Sequence, residues 1–156
     1  MSSDGSLNNQ WETEPYMDDQ NQVNTEAGSR GRMLVADDDP AILRLIATIL
    51  EKENFTVVTA RDGREAYKTL QADADFTAAI LDVVMPHISG PELVRYMKAE
   101  ERLRKIPVMM MTAEQDPKLS SDSFSAGAIV FLPKPFTTAQ LQIMLQMLIG
   151  KQPAEQ

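Results

Sequence analysis

The chain has no cysteine. That excludes disulfides and any thiolate-held metal, and fits a reducing cytosol. It has a single histidine, His87, so a site built from several imidazoles is excluded too. No apolar run reaches the roughly 20 residues that span a membrane, and the N-terminus carries neither the basic nor the apolar region of a secretory signal. A cytoplasmic protein is expected. Positive charge is scarce, with 15 Lys and Arg against 23 Asp and Glu, a net −8. Such a balance argues against general nucleic-acid binding and favours a basic partner patch or a bound cation.

Apolar residues make up 43% of the 156 residues and are unevenly spread. Residues 1–31 are rich in Ser, Asn, Gln, Asp and Glu and show no hydrophobic period. They read as a disordered acidic tail. Trp11, Tyr16 and Met17 are its apolar exception. They read as a stray cluster, with a short docking motif as the alternative. Residues 32–150 form a body of ordinary single-domain size. Residues 151–156 are too few for another domain and read as a C-terminal tail.

The body is organised around Ala78 to Pro86. Its apolar run reads as a strand buried on both faces, interrupted by one carboxylate, Asp82. A charge there is costly unless it has partners, and Pro86 requires the strand to stop first. Before it, Arg32 to Ala36 predicts a first strand ending in Asp37-Asp38-Asp39-Pro40. Pro40 suits a first helical position, which makes Asp39 the N-cap. A helical stripe of Ile42, Leu45, Ile46, Ile49 and Leu50 follows. Phe55 to Ala60 predicts the second strand. Asp62 caps the second helix, with Glu65 completing a capping-box-like pair, and Ala66, Tyr67 and Leu70 face inward. The third strand runs from Phe76 to Leu81.

Ser89, Glu92 and Pro91 open the third helix, with Leu93, Val94 and Met97 on its apolar face. Its tail, Lys98 to Lys105, reads as charged and solvated. Ile106 to Thr112 is the fourth strand, its methionines core filler rather than a metal-binding row. Asp116 and Pro117 begin a fourth helix that closes near Gly127. Ala128 to Leu132 is the fifth strand, and Thr137 caps a last helix from Thr138 to Ile149.

Strand and helix thus alternate five times. That predicts an α/β fold, a doubly wound parallel sheet of flavodoxin-like order 2-1-3-4-5 with five helices. In it the first and third strands are neighbours, so Asp37 and Asp38 meet Asp82 at the carboxyl edge, where open sheets bind ligands. Three converging carboxylates cannot all stay ionised without a cation, and oxygen ligands alone favour Mg²⁺ or Mn²⁺. Thr112 ends the fourth strand at the same edge and Lys134 follows the fifth. Hydroxyl, ammonium and divalent cation together make a receptor for a small dianion such as a phosphoryl group, which an aspartate can accept covalently.

These residues resemble the receiver domains of two-component response regulators over about residues 32–150. Val35-Ala36-Asp37-Asp38-Asp39-Pro40 resembles the family's acidic pair. Leu81-Asp82-Val83-Val84-Met85-Pro86-His87-Ile88-Ser89-Gly90 resembles its phosphoacceptor segment. Met111-Thr112-Ala113 resembles its hydroxyl-bearing strand end, and Leu132-Pro133-Lys134-Pro135-Phe136 its Lys-Pro-Phe segment.

The resemblance implies that Asp82 is the phosphoacceptor and that Asp37, Asp38, Asp82 and the Val84 carbonyl hold Mg²⁺. Thr112, with Ala113, and Lys134 would bind the phosphoryl oxygens, and the Lys134–Pro135 bond would be cis. Phe131 holds the family's aromatic switch position, turning inward when Thr112 is drawn to the phosphate. That would move the surface of the fourth helix, fifth strand and fifth helix. Val84 and Glu114 would tune dephosphorylation. Val84 cannot orient a water, so the aspartyl phosphate is expected to be long-lived.

The implied role is a stand-alone phosphoacceptor module rather than a turnover enzyme. A sensor histidine kinase or a histidine phosphotransfer protein would charge it, and it would act on an output partner. The last helix is apolar nearly all round, at Leu141, Ile143, Met144, Leu145, Met147, Leu148 and Ile149. That predicts a homodimer or partner face, or else a well-buried helix. His87 reads as a surface loop residue. Two other readings stay open. One is a phosphatase of the haloacid-dehalogenase kind using Asp37 and Asp39, and the other is a pseudo-receiver scaffold that is never phosphorylated.

Overall fold

The computed structural model describes residues 28–113, 117–128 and 130–150, with backbone alone for 117–120 and 123. Trp11, Tyr16, Met17, Glu114 and Asp116 lie outside the described residues, as do Ile129 and residues 151–156. Five strands alternate with five helices: β1 (Arg32–Ala36), α1 (Pro40–Lys52), β2 (Thr56–Ala60), α2 (Gly63–Ala72), β3 (Ala78–Asp82), α3 (Gly90–Ala99), β4 (Val108–Thr112), α4 (Pro117–Ala126), β5 (Val130–Pro133) and α5 (Thr138–Gly150). All neighbouring strands are parallel, in the order β2-β1-β3-β4-β5 expected from the alternation of elements.

The central strands read as unbroken apolar runs because both their faces are covered; every residue of β3 and β4 is buried. Successive residues point to opposite faces. Leu34, Ala36, Ala79, Leu81, Val108 and Met110 meet Leu70 of α2 and Leu93 of α3. Met33, Val35, Ala78, Ile80, Met109 and Met111 meet Ile46 of α1 and Leu141 of α5. Met109, Met110 and Met111 are all fully enclosed, so they fill the core as expected.

Local chemistry starts the helices where the sequence places their caps. Asp39 accepts from the Ala41 amide, and Pro40 opens α1. Ser89 and Glu92 form a reciprocal capping box on α3. Thr137 and Gln140 do the same on α5. At α2 the Asp62 side chain accepts from the Glu65 amide, but the Glu65 carboxylate turns back to the Arg61 amide rather than to Asp62.

Two further expectations are corrected. The buried face of α1 carries Leu43, Ile46, Ile49 and Leu50, whereas Leu45 is 43% exposed. The helix is apolar at 42, 43, 45 and 46, so its own pattern admits two faces, and its seating on the sheet selects Leu43. The segment after α3 is not simply solvated. Leu103 is fully buried in the core between α2 and α3. Lys98 donates to the carbonyls of Arg104 and Ile106, at 3.0 and 3.3 Å, and burial draws its ammonium below the usual lysine range. Arg102 donates to the Leu70 and Gln71 carbonyls at the end of α2.

Leu43→Ala is expected to cost about 2–4 kcal/mol in urea unfolding, the range for truncating a buried leucine. Leu45→Ala is expected to cost less than about 1 kcal/mol. Equal losses would contradict the assignment of the buried face.

Candidate functional site

The register between β1 and β3 builds the site. Ala36 pairs with Leu81, so the next residues of the two strands, Asp37 and Asp82, emerge side by side at the carboxyl edge. The Asp37 amide donates to the Ala60 carbonyl, extending the ladder by one step. Its Oδ1 accepts from the Asp39 amide at 2.9 Å, which turns the chain toward α1. Carboxylate oxygens of Asp37, Asp38 and Asp82 all lie within 4.8 Å of one another. Asp37 and Asp82 are buried, while Asp38 is exposed and opens the cluster to solvent.

The counter-charge comes from beyond β5. The Lys134 amide donates to the Thr112 carbonyl at 2.7 Å, which fixes the β5–α5 connection against the end of β4. The Lys134–Pro135 bond is cis. From there the Lys134 ammonium lies 2.8 Å from Asp37 Oδ2 and 3.4 Å from Asp82 Oδ1. Thr112 ends β4, one residue past the partner of Asp82 in the ladder, and its side chain is buried at the same edge. Ala113 follows it, exposed. Val84 is 65% exposed at the mouth. Phe131 stands back in β5, opposite Met110. Asp37, Asp82 and Thr112 are the buried polar residues of the described chain, and all three are here.

One ammonium serves two buried carboxylates and a third close by. Burial, and then repulsion from Asp37, push the Asp82 carboxyl up to about 6. The pull of Lys134 only partly offsets them, and Asp38 adds a smaller push. Burial works to lower the Lys134 value, but its contacts with Asp37 and Asp82 outweigh it and the net shift is upward. Asp37 Oδ2 is fully buried and, despite the nearby ammonium, accepts no well-aligned hydrogen bond among the described residues. A hard divalent cation fits these facts. The ligands are carboxylate oxygens only, the buried Asp37 Oδ2 has no partner beyond the Lys134 ammonium among the described residues, and negative charge is in excess.

The β3–α3 loop that carries Val84 is pinned by contacts the sequence reading did not reach. The Gly63 amide donates to the Pro86 carbonyl at 3.3 Å, and a Cβ on Gly63 would collide with the Ile88 carbonyl. A Cβ on Gly90 would collide with the Asp82 carbonyl and the Met110 methyl, and the Gly90 amide donates to Val83. The signal available for Gly63 is its place directly after the capping Asp62, where a helix cap alone accounts for the pair. His87 is exposed with φ +74°, its Nδ1 3.2 Å from Arg64 Nη2. The Asp39 carboxylate, engaged by the Ala41 amide, is not part of the cluster, although its backbone amide holds Asp37 Oδ1.

Known proteins resemble this chain in sequence and in fold. The family model of the response regulator receiver domain matches residues 33–146. Chemotaxis protein CheY1 of Helicobacter pylori is 32% identical over 120 residues, covering 76% of this chain and 97% of that protein. Among solved structures, the chemotaxis response regulator CheY4 of Vibrio cholerae is 31% identical with a TM-score of 0.71, covering 76% of this chain and 98% of that one. The receiver domain of sensor histidine kinase PA1611 from Pseudomonas aeruginosa, whose active-site cleft coordinates a magnesium ion, is 27% identical with a TM-score of 0.71. It covers 78% of this chain and 98% of its own.

The Asp82 value of about 6 lies above the 3.8 of a free carboxyl, so ionising Asp82 costs the fold stability. The neutral form is favoured fully below about pH 4, and its benefit is lost as pH rises through 6. In chelator at pH 7.5, Asp82→Asn should therefore be more stable than wild type by roughly 2–3 kcal/mol, the shift converted at 1.4 kcal/mol per unit. The gap should close toward pH 4. Thermal melts across this range test it, and a variant less stable at pH 7.5 would contradict the electrostatics.

Proposed function

The chain belongs to the response regulator receiver family, and on that premise we propose that Asp82 accepts a phosphoryl group from a phosphohistidine donor. The adduct then switches the surface formed by α4, β5 and α5. The observation that carries this reading is the Asp82 carboxylate, buried at the sheet edge with Asp37 and Asp38 within 4.8 Å and the Lys134 ammonium at 3.4 Å. An Asp82 oxygen attacks phosphorus as the phosphorus–nitrogen bond of the donor breaks, and the imidazole leaves with that electron pair. Mg²⁺, held by Asp37, Asp38, Asp82 and the Val84 carbonyl, would supply positive charge between the nucleophile and the incoming dianion. The magnesium in the Pseudomonas receiver domain supports that assignment.

The chain's own groups do the rest. Lys134 pairs with one phosphoryl oxygen while still facing Asp37. The Thr112 hydroxyl and the Ala113 segment take another. As Thr112 is drawn to the phosphate, Phe131 turns inward on the same face of the sheet, a shift between populations rather than a new fold. The result is a signalling module that catalyses only its own phosphorylation and dephosphorylation. A sensor histidine kinase or a histidine phosphotransfer protein charges it, and an output protein reads it. A cytoplasmic location follows, because such donors are charged from nucleoside triphosphate. The switching unit is residues 32–150, between the acidic and C-terminal tails.

The phosphatase alternative loses ground, because Asp39 is occupied by the Ala41 amide and cannot act as the acid partner of Asp37. On α5, Leu141, Leu145 and Leu148 are buried, but Ile143 and Met147 remain 58% and 47% exposed. This supports α5 as part of the docking face, with a second copy of the chain as one occupant.

Incubation with a small phosphodonor and Mg²⁺ should add one hydroxylamine-labile phosphoryl group by intact mass, and none to Asp82→Asn. With the apolar, solvent-exposed Val84 unable to orient water, the adduct should survive for minutes or longer at neutral pH; decay in seconds would overturn that role. No gain in either protein would favour the unphosphorylated scaffold, and a gain kept in the variant would make Asp37 the suspect. Sedimentation with and without a phosphoryl mimic is expected to reveal a dimer in at least one state, and a monomer in both would remove α5 self-association.

A further inference from the structure

Phe131 lies across the ladder from Met110. Alternation along the strands puts Phe131, Met110 and Thr112 on one face of the sheet, the face covered by α2, α3 and α4. Phe131 is half-buried against that core. Against it stands Phe124, in the last turn of α4. The ring centroids are 4.5 Å apart and the planes meet at 67°, an edge-to-face pair. Phe124 is itself 57% exposed, and among the described side chains of α4 only Ala126 is buried. The ring pair is therefore the main apolar tie between this helix and β5 among those side chains. Phe131 carries no hydroxyl, so no hydrogen bond from its ring can fix it inward or outward. Packing alone decides between the two.

We propose that Phe124 is a positioning residue that holds Phe131 outward and so sets the threshold of the switch; this rests on the function proposed above. Turning Phe131 inward breaks the edge-to-face contact and frees α4 at the same stroke. Removing the Phe124 ring should raise the population of the inward state and thereby the apparent affinity for a ligand that prefers it. Such ring contacts correspond to a shift of roughly two- to tenfold.

The test is the affinity of the full chain for beryllofluoride with Mg²⁺, followed by fluorine NMR, in a cycle of Phe124→Ala, Phe131→Ala and the double variant. Phe124→Leu is added because it keeps apolar bulk without a ring. Phe124→Ala should bind two- to tenfold more tightly than wild type, with Phe124→Leu between them. In the Phe131→Ala background the same change should have no effect. Unchanged or weaker binding, or an equal gain in both backgrounds as general loosening of α4 would give, overturns the inference alone. Wild-type binding that is absent, or that survives Asp82→Ala, overturns the proposed function and this inference with it.

Discussion

Asp37 and Asp82 lie out of water with, among the described residues, one ammonium, that of Lys134, beside them, and Asp38 adds a third negative charge at the mouth. A protein interior does not tolerate such an excess without cause. Around it the fold supplies rigid supports. β1 and β3 are hydrogen-bonded neighbours at the centre of the sheet, and β4 and β5 deliver Thr112 and Lys134 to the same edge. The stored repulsion raises the Asp82 carboxyl and leaves Asp37 Oδ2 without a well-aligned donor. On the function proposed above, a bound cation and an incoming phosphoryl group would both act on that imbalance, and a small chemical event at one carboxylate would gain leverage over the structure.

The leverage needs a stiff frame and a soft exit. The frame is visible in the β3–α3 loop, clamped by Gly63 and Gly90 where any side chain would strike backbone, and closed by the Ser89–Glu92 capping box. The soft exit is on the far side of β4. There, among the described side chains of α4, Ala126 alone is buried, and the Phe124–Phe131 contact bridges helix and strand. Regions that move in a switch are drawn from the least buried parts of a fold, and the described side chains of α4 fit that part of the proposal, whereas the apolar faces of α1 and α3 are sunk into the sheet.

Much of this was legible in the chain itself. Asp39, Ser89 with Glu92, and Thr137 announce helix starts because capping depends on residues only a few positions apart. The apolar runs of β3 and β4 announce parallel strands because both their faces are buried. What went astray were choices between faces. The helical stripe points to Leu45 where the structure buries Leu43, and Leu103 is buried inside a segment whose sequence is charged, because an isolated helix or loop does not record where the sheet lies. The Glu65 side chain bonding to Arg61, and the Gly63 contact with Ile88, depend on neighbours brought close only by folding.

The sequence by itself determined the elements, their parallel order, and which residue types would reach the carboxyl edge, since local hydrogen bonding and hydrophobic period depend on near neighbours. Tertiary structure alone decided the electrostatics and the coupling. The distances from Lys134 to Asp37 and Asp82, the rise of the Asp82 carboxyl, and the meeting of Phe124 with Phe131 depend on strands and helices far apart in sequence. Charge interaction and ring packing are set by separation in space, and that separation exists only once the sheet has closed.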